Sequence, residues 1–233
     1  MGDKIKVIMD CVPGIDDGIA LAYAAAHQDE LELLAITTFA GNATMDKVTK
    51  NALELAEFYG LKVPVAKGQE RPLVKEPLHA EEFYGETGLG HCVLPETKKE
   101  LASDNAVLFI RDILNDLPEG EQVTVIETAP MTNLALLLRI FPEVKEMIRQ
   151  IVFMGGAAKG TEILYEAPFE IGSYTLWLKG DTGEYTPDFK IYLSSDGKNF
   201  TWDKNAEHRN EGKLRIYTNP EVFEENRFLK IVY

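Results

Sequence analysis

The sequence predicts an α/β fold with a doubly wound, mostly parallel sheet, followed by a mostly-β C-terminal segment. Residues 1–158 contain 18 alanines and nine aromatic residues, whereas residues 159–233 contain two alanines and thirteen aromatic residues. Alanine favours helices, while aromatic and β-branched residues favour strands. In the first part, short apolar runs also alternate with helical patterns, which is typical of parallel sheets. We therefore expect an α/β domain over residues 1–158 and a β-rich segment over residues 159–233.

The predicted elements of the first part alternate between strand and helix from residue 4 to residue 154. The predicted strands are Lys4–Met9, Leu31–Phe39, Val63–Ala66, Gln122–Glu127 and Gln150–Met154. The predicted helices are Asp16–His27, Met45–Tyr59, a helix from a Ser103 cap to about Leu117, and Met131–Phe141. A long excursion, Gly68–Lys99, precedes the third helix. In sheets of this kind, ligands bind at the carboxyl ends of the strands.

The tail has no helix-length apolar period and carries four strand-like runs. These runs are Thr175–Leu178, Phe189–Ser194, Leu214–Tyr217 and Phe228–Val232. Turn-forming residues separate them, which favours part of an antiparallel β-sandwich. We expect Trp177 and Trp202 to lie in its core, and the alternative is that they form a platform for a sugar. His208 is predicted to be exposed in a polar turn.

Composition and charge exclude several classes of partner. The formal charge is −14, from 38 acidic and 24 basic residues. A chain this acidic repels phosphate backbones and anionic lipid, so we expect no nucleic acid and no membrane partner. The two cysteines, Cys11 and Cys92, cannot support a disulfide scaffold and suit a reducing compartment. We find no stretch typical of a signal peptide or a membrane span, so the expected location is cytoplasmic.

The strongest chemical signal is the run Met9-Asp10-Cys11-Val12-Pro13-Gly14-Ile15-Asp16-Asp17. A predicted strand ends at Asp10, the chain turns at Pro13-Gly14, and Asp16 and Asp17 open a helix. We expect the three carboxylates to converge at the carboxyl end of a central strand, where a hard cation such as Ca²⁺ would neutralise them. For Asp16 or Asp17 taken separately, the alternative role is to cap the helix and complement its dipole.

This acidic turn resembles that of the nucleoside hydrolases (inosine–uridine-preferring N-ribohydrolases), which begin with a strand and then Asp-x-Asp-Pro-Gly-x-Asp-Asp. The pattern matches here at Asp10, Pro13, Gly14, Asp16 and Asp17. The resemblance covers roughly residues 4–158 and continues, in the right order, through Leu34-Ala-Ile-Thr-Thr-Phe-Ala-Gly-Asn42, Lys50-Asn51-Ala52, Gly85-Glu-Thr-Gly-Leu-Gly90, Glu127-Thr-Ala-Pro-Met-Thr-Asn133 and Val152-Phe-Met-Gly-Gly156. Several motifs in register are far more specific than any one of them.

The resemblance implies a role for individual residues of these motifs. In the family the first and last aspartates of the turn bind Ca²⁺, which places that role on Asp10 and Asp17. The backbone carbonyl of the threonine that matches Thr128 is a further metal ligand. The residues that match Asp16 and Asn42 hold the ribose hydroxyls. Without the family, Asn42 would be interpreted as a turn residue that follows a glycine.

The activity that the resemblance implies is hydrolysis of the N-glycosidic bond of purine or pyrimidine ribonucleosides, which gives ribose and free base. Breaking the C–N bond generates positive charge on the ribose, and nearby carboxylates stabilise that charge. A bound metal grips the ribose hydroxyls and lowers the pKa of the attacking water, and a carboxylate beside the water removes its proton. The Gly85–Gly90 run would be a mobile flap over the sugar, and an ordinary flexible loop is the alternative.

Two departures from the family pattern predict impaired catalysis. The general-base aspartate of the family falls at Val12, and the loss of a general base typically costs about 10²–10⁴ in rate. After residue 158 the family would continue through Ala-Glu-Phe-Asn and later supply another metal-binding aspartate and a histidine. Here Glu166-Ala-Pro-Phe-Glu-Ile171 is a faint echo, and the fourth metal ligand cannot be placed. The alternative is therefore a non-catalytic module that binds a nucleoside or ribose.

The tail weakly resembles the C-terminal half of a discoidin-type carbohydrate-binding β-sandwich. The resemblance rests on Asp188-Phe-Lys-Ile-Tyr-Leu-Ser-Ser-Asp-Gly-Lys-Asn-Phe200 and Arg227-Phe-Leu-Lys-Ile-Val232. A glycan ligand bound through the tail is the third hypothesis, and a fusion of two unrelated pieces fits the change of character at residue 159. Half a sandwich would leave an unpaired strand edge, which is compatible with a homo-oligomer.

Overall fold

A computed structural model of the chain describes residues 4–74, 76–77, 79–155, 162–166, 171–178, 189–211, 214–222 and 226–232. The chain divides into two compact units, Met1–Gly155 and Gly156–Tyr233. The sequence had suggested a boundary after residue 158. No helix in the described ranges is long and apolar enough to cross a membrane.

The first unit is built of alternating strands and helices. Its strands are β1 (Ile5–Cys11), β2 (Leu31–Thr38), β3 (Val65–Ala66), β4 (Val123–Glu127) and β5 (Ile148–Phe153). Its helices are α1 (Ile15–Ala26), α2 (Met45–Phe58), α3 (Glu81–Tyr84), α4 (Ala106–Asn115), α5 (Thr132–Ile140) and a 3₁₀ helix (Pro142–Met147). The strands pair in parallel in the order β3-β2-β1-β4-β5. This sheet confirms the predicted α/β fold.

Strand β1 occupies the middle of the sheet, between β2 and β4. Its residues from Val7 to Cys11 are all buried, as expected for an apolar strand of a parallel sheet that is covered on both faces. Asp10, near its carboxyl end, pairs in register with Thr37 of β2 and with Glu127 of β4. Because parallel strands end at the same edge of a sheet, these three polar side chains lie together.

A separate apolar cluster forms where the chain leaves the carboxyl ends of β1, β2 and β4. Its buried members are Val12, Phe39, Ala40, Ala43, Met45, Val48 and Ala129. Another cluster packs α1 and α2 against the sheet through residues such as Met9, Leu21, Ile36, Ala52 and Leu55. The edge of the sheet that carries the polar residues is thus bordered by apolar packing, which limits access of water to it.

The third predicted helix differs most from the structure. Asn105, and not Ser103, caps α4, because the Asn105 side-chain oxygen accepts a hydrogen bond from the backbone N–H of Leu108 at 3.1 Å. The Ser103 hydroxyl instead accepts from the backbone N–H of Asn105, also at 3.1 Å. The helix therefore begins at Ala106. The four-residue helix α3 was not predicted, since so short a segment carries no apolar period.

The second unit consists of antiparallel strands. They are β6 (Glu162–Glu166), β7 (Tyr174–Leu178), β8 (Lys190–Ser194), β9 (Thr201–Trp202), β10 (Glu207–Glu211), β11 (Leu214–Asn219) and β12 (Phe228–Val232). They form two sheets, β10-β11-β7 and β6-β12-β8-β9. The buried core comprises Ile171, Leu176, Phe189, Ile191, Leu193, Tyr217, Leu229 and Ile231. All four predicted strands are present, and the described residues of this unit contain no helix.

Two predictions for the tail are wrong. Trp202 is 48% exposed, because it lies in the short edge strand β9, while the side chain of Trp177 lies outside the described part of the chain. His208 is exposed as predicted, yet it lies in strand β10 and stacks on Tyr217, with 5.5 Å between the ring centroids. The polar run Glu207–Glu211 forms a strand because it lies at the edge of its sheet, where charged side chains remain in solvent.

Candidate active site

Asp10 is fully buried, and hydrogen bonds hold its carboxylate from two sides. The hydroxyl of Thr37 donates to Oδ1 at 2.6 Å. The side-chain amide of Asn133 donates to Oδ1 at 2.9 Å and to Oδ2 at 3.2 Å. Burial raises the pKa of Asp10, and the hydrogen bonds from Thr37 and Asn133 act in the opposite direction. Both oxygens of the carboxylate are therefore already engaged.

Asp17 lies in the first turn of α1 and is only 4% exposed. Its Oδ2 accepts a hydrogen bond from the backbone N–H of Val12 at 2.7 Å, which closes the turn between β1 and α1. Burial raises the pKa of Asp17 to about 6, hydrogen bonds from Thr128 and Val12 lower it, and the charges of Asp16 and Asp10 raise it. This carboxylate is thus buried beside other acids. The N-cap residue of α1 is Gly14, which has no side chain to cap the helix.

The three aspartates of the turn differ in their exposure. Asp16 is exposed, whereas Asp10 and Asp17 are buried. Among the side chains that the structure describes, one set of acidic and histidine residues has its ligand atoms within 4.8 Å of one another. It consists of His27, Asp29 and Glu30 and lies at the C-terminal end of α1. The turn thus buries Asp10 and Asp17 and leaves Asp16 exposed, although the charge of Asp16 still raises the pKa of Asp17, and the convergence of the three carboxylates on a cation stays a prediction.

Asn42 is half-buried, and the segment before α3 fixes the backbone around it. The backbone N–H of Ala80 donates to the Asn42 carbonyl oxygen at 2.9 Å. The His79 Nδ1 atom lies 2.9 Å from the Gly41 carbonyl oxygen. The excursion after β3 thus returns to the carboxyl end of β2, where Asn42 stands.

Val12 is an apolar side chain at the position where the resemblance implies a general-base aspartate. It is 4% exposed and belongs to the apolar cluster that includes Phe39 and Met45. A Cβ atom placed on Gly41 would lie only 2.8 Å from the Cγ2 atom of Val12. Val12 therefore packs directly against the Gly41 backbone. The side chain at position 12 consequently presents methyl groups, which can neither accept a proton nor orient a water.

Glu127 is a buried acid to which the sequence analysis assigned no role. It is fully buried, and neither of its carboxylate oxygens has a hydrogen-bond partner among the described residues when the group is ionised. Burial raises the pKa of Glu127 well above its usual value, and the neighbouring Asp10 raises it further. A protonated Glu127 can donate to Asp10, which accounts for two adjacent buried carboxyl groups. The available signal was an acid at the end of an apolar run, as at Asp10.

The Gly85–Gly90 loop lies against the acidic turn. A Cβ atom on Gly14 would be 3.0 Å from ring atom Cδ1 of Tyr84, the residue that precedes the loop. Burial raises the pKa of Tyr84, and the charges of Asp16 and Asp17 raise it further, so the phenol lies near these carboxylates. The glycine-rich motif predicts the loop, whereas the sequence carries no separate signal for Tyr84.

Comparison with known proteins shows the family to which the chain belongs. The sequence profile of the family described as inosine-uridine preferring nucleoside hydrolase matches residues 7–208. The non-specific ribonucleoside hydrolase RihC of Escherichia coli is 39% identical over 170 residues, which cover 73% of this chain and 55% of the relative. RihC of Escherichia fergusonii matches to the same extent. The chain thus spans about half the length of the curated relatives it matches.

Solved structures show the same partial overlap. A purine-preferring ribonucleoside hydrolase from Gardnerella vaginalis superposes with a TM-score of 0.60 and 33% identity, over 65% of this chain and 49% of that one. The plant nucleoside hydrolase PpNRh1 superposes with a TM-score of 0.61 and 32% identity, over 66% of this chain and 49% of that one. The profile match runs past residue 158 into the tail, whose discoidin-type likeness stays a prediction. On this profile match, the shared parallel sheet and the acidic turn after β1, the chain belongs to the inosine-uridine preferring nucleoside hydrolase family.

Proposed function

We propose that this chain binds a divalent cation and the ribose of a purine or pyrimidine nucleoside, and that it hydrolyses the N-glycosidic bond slowly because the general base is missing. The observation that carries the proposal is the state of Asp17. Its carboxylate is 4% exposed and lies beside other acids, and its pKa is raised to about 6. A buried carboxylate in acidic surroundings is stabilised by a hard cation.

The residues around Asp17 fit such an ion, and Ca²⁺ is the ion we propose. The family likeness gives the ligands as Asp10, Asp17 and the Thr128 carbonyl. The Thr128 backbone N–H donates to the Asp10 carbonyl oxygen at 2.9 Å, so this threonine is fixed next to the acidic turn. Both carboxylates accept hydrogen bonds, and each keeps lone pairs that a cation can use, so we propose Asp10, Asp17 and the Thr128 carbonyl together as the ligands. When bound, Ca²⁺ would supply charge to hold ribose hydroxyls and lower the pKa of a water.

The sugar would be held by Asp16 and Asn42. Asp16 is the exposed carboxylate of the turn, so it can accept hydrogen bonds from ribose hydroxyls without first losing a buried partner. The backbone of Asn42 is fixed by Ala80, so its side chain starts from a defined position. Carboxylates on this side of the sugar also stabilise the positive charge that develops as the C–N bond breaks.

The residue at the general-base position, Val12, limits the rate of the proposed reaction. Val12 packs into an apolar cluster and offers no acceptor for a proton. We therefore expect turnover to be reduced by about 10²–10⁴ relative to a site with the carboxylate. A protein that binds a nucleoside without cleaving it is the alternative to this proposal.

Calorimetry with Ca²⁺ and inosine, followed by a ribose-release assay on inosine and uridine, tests the proposal. We expect Ca²⁺-dependent binding by the unmodified chain, none by Asp17→Asn, and faster ribose release by Val12→Asp than by the unmodified chain. Absence of nucleoside binding at millimolar Ca²⁺ would overturn the binding proposal. Binding without release in either chain would overturn the hydrolytic part and leave a binding protein.

A glycan-binding role of the second unit is the second candidate, and exposed Trp202 favours it. The Lys190 and Lys204 Nζ atoms lie 5.7 and 5.9 Å from the centroid of its ring system. An exposed indole flanked by cations can stack on a sugar ring and attract acidic substituents. A glycan screen that compares the full chain with Trp202→Ala is the test, and no ligand lost on substitution would contradict it.

A further inference from the structure

One buried amide joins the acidic turn to the glycine-rich loop. Asn51 lies in α2 and is 3% exposed. Its side-chain nitrogen donates to the Pro13 carbonyl oxygen at 3.0 Å and to the Thr87 carbonyl oxygen at 2.9 Å. An asparagine amide has two N–H donors, so both are used, one on each segment. Pro13 and Thr87 are far apart in sequence and meet through this side chain.

The loop is shaped to approach Asn51 closely. A Cβ atom on Gly88 would lie 3.0 Å from the Asn51 nitrogen, and the Gly88 φ angle of +83° belongs to the left-handed region that favours glycine. The loop is also closed on itself. The Gly90 N–H donates to the Tyr84 carbonyl oxygen at 2.7 Å, and the Leu89 N–H donates to the Thr87 hydroxyl at 3.2 Å. Fixing Thr87 therefore fixes the loop as a whole.

We propose that Asn51 is a positioning residue that holds the Gly85–Gly90 loop against the Asp10–Asp17 turn before any ligand binds. Its importance for sugar binding rests on the proposed function. The loop would otherwise have to be ordered when the nucleoside arrives, and that ordering would weaken binding. Held in place, it keeps the Tyr84 ring on Gly14 and the phenol near Asp16 and Asp17. The loop then forms a preformed wall of the sugar site.

A purely structural role for Asn51 predicts a different result, namely general loss of stability with no special effect on the loop. Thr49→Val is the matched control. Thr49 lies in the same helix and is 7% exposed. Its hydroxyl oxygen lies 3.3 Å from the Thr38 hydroxyl oxygen and 3.2 Å from the Met45 sulfur. These contacts involve neither the loop nor Pro13. The control therefore removes a buried polar group from α2 without touching the connection.

Hydrogen exchange of the ligand-free full chain, read by mass spectrometry on peptides that span residues 84–92, is the primary test. In Asn51→Ala we expect exchange in these peptides to be faster by about tenfold, as for the loss of one to two hydrogen bonds, and unchanged in Thr49→Val. Asn51→Asp keeps the size but sets an acceptor against two carbonyls, so we expect the same direction. Unchanged exchange in both Asn51 variants would overturn the inference.

Ribose affinity in the presence of Ca²⁺ connects the loop to the sugar. We expect Asn51→Ala to lose about tenfold in ribose affinity, and Thr49→Val to bind as the unmodified chain does. If the unmodified chain binds no ribose, the proposed function fails, while the exchange result still decides whether Asn51 holds the loop. If exchange rises in Asn51→Ala but ribose affinity does not change, the loop is no part of the sugar site.

Discussion

Asn133 donates hydrogen bonds to both carboxylate oxygens of Asp10, at 2.9 and 3.2 Å, and both residues are fully buried. The same amide nitrogen lies 3.0 Å from the Thr38 carbonyl oxygen, and the amide oxygen accepts from the Gln69 backbone N–H at 3.0 Å. One side chain at the start of α5 thus links β1, the end of β2 and the excursion after β3. A buried carboxylate needs such partners, because burial without them disfavours the charged form.

We predict that Asn133→Ala lowers the free energy of unfolding by about 3 kcal/mol, since it leaves buried polar groups without partners. Urea unfolding at neutral pH measures this difference. Asn105→Ala is the control, because it removes only the exposed cap of α4 and should cost about 1 kcal/mol. A loss in Asn133→Ala no larger than in the control would contradict the role assigned to the Asp10 contact.

Asp17 makes the stability of the ligand-free protein depend on pH. Its pKa in the folded chain is about 6, above the ordinary value of 3.8, so the folded state holds the proton more tightly than the unfolded state. Its contribution is therefore favourable at low pH and is lost as the pH rises from 3.8 to about 6. We predict that Asp17→Asn reduces the fall in unfolding free energy between about pH 4 and about pH 7.5 by roughly 2 kcal/mol.

Urea unfolding at the two pH values, with a chelator present, measures the effect. Asp29→Asn is the control, since this aspartate is exposed and lies beyond the end of α1. Equal pH dependence in Asp17→Asn and the unmodified chain would show that burial of Asp17 has little energetic effect. If Ca²⁺ binds at Asp17, adding it should raise stability at high pH in the unmodified chain and in Asp29→Asn but not in Asp17→Asn, because binding to the folded state alone stabilises it.

The sequence was sufficient to predict the parallel sheet and the placement of Asp10, because the apolar run of β1 needs burial on both faces and an acid ends that run. It was not sufficient to predict the neighbour of Asp10. Glu127 stands beside Asp10 only because β4 pairs with β1, and these strands are far apart in the chain. Strand order depends on how all the crossover helices pack, and no local pattern encodes it.

Exposure was the second property that local patterns left open. Asp16 and Asp17 are consecutive acids at the start of one helix, yet one is exposed and the other buried, because successive helical residues point in different directions. In the tail, the strand of Glu207–Glu211 has no apolar residue to reveal it, and its pairing with β11 alone makes it a strand. Trp202 was expected in the core, but its place in an edge strand leaves it exposed.

Asp203 is the polar centre of the second unit. Its Oδ2 accepts from the Tyr174 hydroxyl at 2.6 Å and from the Asn219 side-chain amide at 2.7 Å, and its Oδ1 accepts from the Asn205 backbone N–H at 3.0 Å. We predict that Asp203→Ala destabilises this unit by about 3 kcal/mol, and that Tyr174→Phe, which removes a single bond, costs about 1 kcal/mol. Equal losses in the two variants would contradict the shared role of the carboxylate.

Tryptophan fluorescence measures this unit selectively, because both tryptophans of the chain, Trp177 and Trp202, belong to it. We expect the unfolding midpoint followed by tryptophan emission to fall in Asp203→Ala. In Asn133→Ala, whose substitution lies in the other unit, we expect that midpoint to move less. A larger shift in Asn133→Ala than in Asp203→Ala would mean that the two units do not unfold independently.

We predict that Val12→Asp makes the metal-free protein less stable and makes its stability depend more strongly on Ca²⁺. The new carboxylate would replace a 4%-exposed apolar side chain against Gly41 and stand near the buried Asp10 and Asp17, so we expect it to lower the free energy of unfolding without metal by about 3 kcal/mol. Val12→Asn is the control, since it introduces a polar group of the same size without the charge. Because only the charged variant gives a cation an additional ligand, Ca²⁺ should restore more stability to Val12→Asp than to Val12→Asn. Thermal unfolding of both variants with and without Ca²⁺ measures the difference, and equal stabilisation would mean that position 12 does not face the metal.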